Sequence, residues 1–189
     1  MVDSNEMTED TEAIVGAYLL FARLLNEEMN RDFREVLLQP PVLEILSKAD
    51  ENVVGYLERG WDDHDFEKAS ADFCDTFILP SRSFQPRAAA WLEEGDQVTP
   101  DGIHSVVDSF LREKKITLPQ EFAALPYDHA SVLFLVAAAL RKNRDPQAAE
   151  FEQAVLGSWV GSFGSTLQSC SNPLYRALGF LIAAVSRQD

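Results

Sequence analysis

The chain has 189 residues, of which 46% are hydrophobic, including twelve phenylalanines and three tryptophans. This composition is enough to bury the core of one domain, and it excludes a wholly disordered chain. Sixteen basic residues face thirty-one acidic ones, giving a net charge of −15. That charge argues against a nucleic-acid partner and favours a basic peptide or a cationic protein surface.

The apolar residues recur at steps of three and four along most of the chain, which predicts helices rather than strands. Thr99-Pro100 and Asn172-Pro173 each place a capping side chain before a proline at the first helical position. The predicted helices are Thr11–Met29, Asp32–Leu38, Val42–Arg59, Asp63–Leu79, one from Pro100, Asp128–Lys142, Pro146–Ser169 and one from Pro173. Gly157, Gly161 and Gly164 are expected to permit close approach of a neighbouring backbone. The fold class predicted is all-α, a single globular bundle of about eight to ten helices.

Two connections interrupt the helical pattern, near residues 80–90 and 117–127. The first contains Phe84 and Pro86 and leads to Trp91, and the second ends at Tyr127. Binding residues are concentrated in loops on rigid scaffolds, so functional residues are sought here first. We predict one domain over residues 1–189.

The N-terminal region and the apolar segments predict a cytoplasmic protein without stable membrane insertion. The first twelve residues contain five acidic and no basic side chains, unlike the start of a signal peptide. The longest uncharged apolar run, Ala130 to Leu140, is shorter than the roughly 20 residues that span a bilayer. Cys74 and Cys170 are too few for a disulfide framework or a thiolate metal site, and both are expected to be buried thiols.

The acidic stretch from Asp62 to Asp65 has two interpretations. Asp62 or Asp63 can cap the following helix, with the other acids adding favourable charge to its first turn. Alternatively, His64-Asp65 resembles the dyad of metal-dependent HD-type phosphohydrolases, although no histidine precedes it as that pattern requires. The chain also has no G-x-S-x-G elbow, P-loop or G-x-G-x-x-G motif. We therefore predict neither an enzyme nor a resident cofactor or metal.

Tyr127-Asp128-His129 lies between a proline and a strongly apolar helix. Asp128 is placed to cap that helix, and His129 is then a partly buried, hydrogen-bonded residue. A second interpretation gives Asp128 a carboxylate oxygen for a cationic group, with His129 as a hydrogen-bonding partner.

The segment Pro126-Tyr127-Asp128-His129, followed by its apolar run, resembles the P-x-D-H segment of the TorD/DmsD/NarJ family. Residues 72–80, DFCDTFILP, resemble that family's E-Y-x-x-L-F-x-x-P stretch. A proline-containing loop with Gln85-Pro86 and an aromatic, Trp91, follows in the family's order, and the similarity extends over essentially the whole chain. The usual P-P-x-x-S-x-Y loop reads QPRAAAW here.

The resemblance implies an all-helical cytoplasmic chaperone for a redox enzyme, in most members a molybdoenzyme. Many members bind the twin-arginine signal peptide of the client precursor until its cofactor has been inserted. The residues expected to contact the client or its signal peptide are Asp128, His129, Tyr127, Trp91, Phe84 and Pro86. Trp91 can instead be ordinary core packing. The alternatives are a helical adaptor for another protein and the phosphohydrolase described above.

Overall fold

The computed structural model describes residues 6–79, 84–92, 99–157 and 159–186, and the side chains from residue 10 onward. These residues form eleven α-helices and no strand, so the all-α prediction is confirmed. Eleven helices is one more than the predicted eight to ten, partly because two of the predicted helices are each divided in two. In the described residues no helix has both the length and the apolar character needed to cross a membrane. The chain divides into two compact units, each made of two separated segments.

The first unit combines the described residues of Met1–Asn26 and Pro86–Trp159. Its helices are α1 (Glu6–Leu24), α6 (Pro100–Glu113), α7 (Gln120–Ala123), α8 (Ala130–Lys142) and α9 (Ala148–Val155), with a 3₁₀ turn at Ala88–Ala90. Helix α8 is apolar on nearly every face and is buried against α1, with α6 and α9 also packed against it. The ring of Phe134 lies 5.4 Å from that of Tyr18 and 5.3 Å from that of Phe21. The helix that carries the predicted client-binding segment is therefore the rigid centre of this unit.

The second unit combines the described residues of Glu27–Gln85 and Val160–Asp189. Its helices are α2 (Arg31–Leu37), α3 (Pro40–Ala49), α4 (Asn52–Glu58), α5 (Asp63–Phe73), α10 (Val160–Leu167) and α11 (Pro173–Val185). Helix α5 runs directly into a π-helical turn, Cys74–Ile78. Helix α11 packs against α3, α4 and α10, and its own Leu178 and Ile182 are buried there.

The predicted proline-marked helix starts are both confirmed. The Thr99 hydroxyl accepts the N–H of Gly102 at 3.1 Å, and the Asn172 side chain accepts that of Leu174 at 3.0 Å. A proline follows each cap at the first helical position. These local signals could be read from the sequence because the capping side chain and the N–H group that donates to it are only two or three residues apart.

Helices α10 and α11 approach each other backbone to backbone, which confirms the prediction for Gly164. A Cβ at Gly164 would lie 2.8 Å from the amide nitrogen of Ala183, and one at Gly179 would lie 2.8 Å from the Gly164 carbonyl oxygen. Neither distance leaves room for a methyl group.

The predicted continuous helix Val42–Arg59 is wrong, because Asp50 separates α3 from α4. One Asp50 oxygen accepts the N–H of Asn52 at 2.9 Å, and the other pairs with Arg176 of α11. Asp50 has extended backbone angles. A partner 126 residues away therefore helps to hold a turn in an otherwise helical apolar pattern.

The predicted long helix Pro146–Ser169 is also wrong, because it contains both α9 and α10. The Glu152 carbonyl accepts the N–H groups of Leu156 and Gly157 at 2.8 and 3.2 Å, a pattern typical of a helix C-terminus. At Gly157 the nearest atom to an added Cβ is the Gln153 carbonyl oxygen, and at Gly161 it is a side-chain oxygen. Close approach of a neighbouring helix backbone is thus found only at Gly164 among the three predicted positions.

The predicted connections and thiols are partly as expected. Residues 80–83 lie outside the described residues, residues 88–90 form the 3₁₀ turn, and α7 lies within the second connection. Cys170 is buried and Cys74 is half-buried, and both are free.

Candidate functional site

The start of α8 is joined to the proline loop by two main-chain hydrogen bonds. The N–H of Ala88 donates to the Asp128 carbonyl at 2.9 Å, and the N–H of Ala130 donates to the Pro86 carbonyl at 2.8 Å, with antiparallel geometry. The second bond satisfies a free N–H of the first helical turn. Pro86 itself is buried. We call this arrangement the α8-start site, which comprises residues 86–91 and 127–131.

The Asp128 carboxylate is buried inside this site and holds an arginine. Its Oδ1 accepts the Nε and Nη2 of Arg87 at 3.1 and 2.9 Å, and its Oδ2 accepts the N–H of Ala89 at 3.3 Å. Asp128 is only 4% exposed, whereas the Arg87 side chain is 47% exposed. The prediction that Asp128 caps α8 is wrong, because both of its oxygens bind residues 87–89. The carboxylate instead fixes the loop and presents one face of a guanidinium to solvent.

His129 takes the capping position. Its ring Nδ1 accepts the N–H of Ser131 at 3.3 Å, and its backbone is extended. Burial lowers the pKa of His129 from 6.5 to about 4; the Asp128 carboxylate opposes this shift and the Arg87 guanidinium adds to it. The imidazole is therefore neutral near pH 7, with its proton on Nε2, because Nδ1 acts as an acceptor.

The three predicted aromatic residues occupy different surroundings. Tyr127 is half-buried, and its ring stacks on that of His104 with centroids 4.7 Å apart. Trp91 is half-buried at the end of the 3₁₀ turn, where its main-chain N–H donates to the Ala88 carbonyl at 2.9 Å. Phe84 is also half-buried but is assigned to the second unit. Tyr127 and Trp91 thus lie in the α8-start site, and Phe84 lies outside it.

Arg87 is the residue that sequence reasoning missed. The sequence places Arg87 in the proline loop without indicating a role, yet it is the ion-pair partner of the buried Asp128. Buried acids need a cationic or hydrogen-bonding partner, so a basic residue in the loop was the available signal. The sequence separation of 41 residues concealed which acid it would meet.

The structure supports the capping interpretation of the acidic stretch before α5. Asp62 accepts the N–H of Asp65 at 3.0 Å, and Asp65 accepts that of Asp62 at 3.2 Å, which is a capping box. Asp65 also pairs with Arg59, while the His64 side chain is 85% exposed. In the part of the chain that the structure describes, no group of three or more His, Cys, Asp or Glu side chains is placed to hold a metal ion.

An all-α chain in which a P-x-D-H segment precedes a strongly apolar helix is what the resemblance to redox-enzyme maturation chaperones implies. Comparison with family models agrees: residues 37–165, about two thirds of the chain, match the family described as nitrate reductase delta subunit. The chain belongs to this family, which is part of the TorD/DmsD/NarJ group of redox-enzyme maturation chaperones. The comparison with curated proteins finds no match.

The matched range includes the whole α8-start site. It leaves out α1 and α11, for which a similarity was also predicted, so that part of the prediction lies beyond the match. The family acts with a molybdoenzyme, nitrate reductase, during its maturation.

Proposed function

We propose that this protein is a cytoplasmic chaperone that binds a molybdoenzyme precursor, through its twin-arginine signal peptide, until the cofactor has been inserted. The observation that carries the proposal is the buried Asp128 carboxylate, which already binds a half-exposed guanidinium at the protein surface. A carboxylate in this position is a ready receptor for an arginine of the client. The net charge of −15 would attract the cationic start of such a peptide.

The recognition step that we propose is an exchange of arginines. Arg87 occupies Asp128 in the free protein, and one client arginine displaces it, because a partly exposed side chain can leave without unfolding the loop. The planar guanidinium fits two donors onto a carboxylate and so favours arginine over lysine. Tyr127 and Trp91, both half-buried, offer aromatic surface to the apolar part of the peptide.

Other predicted residues have supporting roles in this proposal. Pro86 is buried and holds the loop through its carbonyl rather than by touching the client. His129 is neutral and donates from Nε2, so it contributes a hydrogen bond and no charge. Phe84 remains a candidate for contact with the apolar part of the peptide.

The exchange is tested by calorimetry with a synthetic peptide that has two adjacent arginines followed by an apolar stretch. A second peptide with two lysines is the matched control. We expect Asp128→Asn to weaken binding of the arginine peptide by about tenfold or more, and the lysine peptide to bind less tightly than the arginine peptide. Binding should also weaken as salt is raised.

Arg87→Gln separates exchange from simple loop positioning. If Arg87 competes with the client, this variant binds the arginine peptide more tightly, although it is less stable without peptide because Asp128 loses its partner. If Arg87 only positions the loop, the variant binds more weakly. Asp50→Asn is the matched control, because it also breaks a buried Asp–Arg pair, but in the second unit; it should alter stability and leave peptide binding unchanged.

Co-purification from cells distinguishes the chaperone from a helical adaptor with the same acidic surface. Recovery of a molybdoenzyme precursor supports the proposal. Recovery of an unrelated protein, together with unchanged peptide binding in Asp128→Asn, would contradict it.

A further inference from the structure

A groove in the first unit, away from the Asp128 carboxylate, takes no part in the function proposed above. It lies between the exposed face of α1 and the corner where α8 leads into α9, and it has a volume of about 780 Å³. The residues that define its walls are Glu12, Val15, Leu19, Lys142, Arg144 and Ala149.

The groove has an apolar floor. Leu19 is 41% exposed, and Val15 beside it is half-buried. Gly16 deepens the groove, since a Cβ there would meet no atom within 4 Å. Positions 12, 15, 16 and 19 share one face of α1 over two turns, a length of about 10 Å. A surface of this shape and length fits two turns of an amphipathic helix.

The rim of the groove carries positive charge that no ion pair within the described residues neutralises. Arg141 is paired with the buried Glu152 through two hydrogen bonds of 2.7 and 2.6 Å. Lys142 and Arg144 are exposed, and no ion pair joins either of them to an acid in the described residues. They lie at the end of α8, where cations also stabilise the helix dipole. The helix dipole accounts for the positive charge of these two residues, but it does not account for the apolar groove beside them.

The opposite wall carries an acid. Glu12, on α1, is exposed and lines the groove. The α8–α9 side also carries Asp145, whose carboxylate is paired with Lys114 at 2.8 Å. The charge left unpaired in the described residues is therefore basic on the α8–α9 side and acidic on the α1 side. An occupant with carboxylates along only one flank of its apolar face is attracted in one orientation and repelled in the other.

We infer that this groove docks an amphipathic helix of a partner protein, with its apolar face on Val15 and Leu19 and its carboxylates against Lys142 and Arg144. The surface favours the opposite charge from the one proposed for Asp128, because two exposed cations, Lys142 and Arg144, face the single carboxylate of Glu12. The two surfaces can therefore hold two partner segments of different chemistry.

The test uses labelled helical peptides of four turns with leucines at i, i+3, i+4 and i+7. One peptide carries glutamates along one flank of the leucine face, and its twin carries lysines there. We expect the glutamate peptide to bind the full-length protein and to shift the amide resonances of Leu19 and Ala149. The lysine peptide should bind at least about tenfold more weakly.

Substitutions in the groove have matched controls in the second unit. Lys142→Glu with Arg144→Glu should weaken the glutamate peptide about tenfold or more, whereas Lys68→Glu, an exposed lysine on α5, should not. Gly16→Leu should fill the groove and abolish binding, whereas Gly55→Leu, at an equally open helical glycine, should not.

Three results would overturn the inference. The first is the absence of glutamate-peptide binding at millimolar concentration, and the second is equal binding of the lysine peptide. The third is concentration-dependent self-association of the wild-type protein that Gly16→Leu abolishes, which would assign the groove to a second copy of the chain.

Discussion

The half-buried His129 should make the stability of the protein depend on pH between neutrality and about pH 5. The pKa of His129 is about 4 in the folded chain, against 6.5 for an exposed imidazole. Protonation therefore favours the unfolded chain, and the contribution is fully present above pH 6.5 and is lost as the pH falls towards 4. Linkage gives a loss of about 2 kcal/mol in the free energy of unfolding from about pH 7.5 to about pH 5.

The measurement is urea unfolding at several pH values for the wild type and for His129→Asn. Asparagine is a good helix cap, so this variant keeps the hydrogen bond to Ser131 while removing the titrating ring. We expect the variant to lose about 2 kcal/mol less than the wild type over that range. His64→Gln should behave like the wild type, since His129 is still present. Equal losses in the wild type and His129→Asn would refute the assignment of the effect to this ring.

Three further predictions concern stability and are measured by denaturant unfolding. Gly164→Ala should destabilise the protein by about 1 to 3 kcal/mol, because its methyl group would overlap the backbone of α11. Gly55→Ala, in open space, should be neutral or stabilise by up to about 1 kcal/mol. Equal effects of the two substitutions would contradict the close approach of α10 and α11. Ser131→Ala should raise stability by about 1 kcal/mol, because the buried Ser131 Oγ makes no hydrogen bond in the described residues. A loss of stability would show that the hydroxyl has a partner. Burial raises the pKa of Asp50, but hydrogen bonds from Arg176 and Asn52 outweigh it and leave the pKa below 3.8. The wild type should therefore lose stability more steeply than Asp50→Asn below about pH 4. Parallel curves of stability against pH for the two proteins would contradict this.

The fold class could be predicted because the helical period and the proline-marked caps are local signals. The division between α3 and α4 could not, because Asp50 adopts its extended backbone while paired with Arg176, far along the chain. An apolar pattern that continues through Asp50 gives no sign of this long-range partner.

The sequence pointed to the two segments of the candidate site but not to the hydrogen bonds that join them. The P-Y-D-H segment and the proline loop were both identified in the sequence, and their order along the chain supported the family resemblance. That His129 rather than Asp128 caps α8 could not be predicted from the neighbouring residues, because either side chain is able to cap a helix. Arg87 decides which residue caps the helix, because it binds the Asp128 carboxylate, while the His129 imidazole accepts the N–H of Ser131.

The interleaving of the two units along the chain has a consequence for how the protein emerges from the ribosome. Helix α1 belongs with α8, which is roughly 100 residues further on, so it waits about 5 to 20 s at ordinary rates of synthesis before its partner exists. The second unit opens with α2 but needs α11, the last helix described. Both apolar faces of the nascent chain are therefore uncovered at the same time, and the first unit is closed before the second. Unpaired apolar helix faces of this chain are therefore open to aggregation for most of its synthesis.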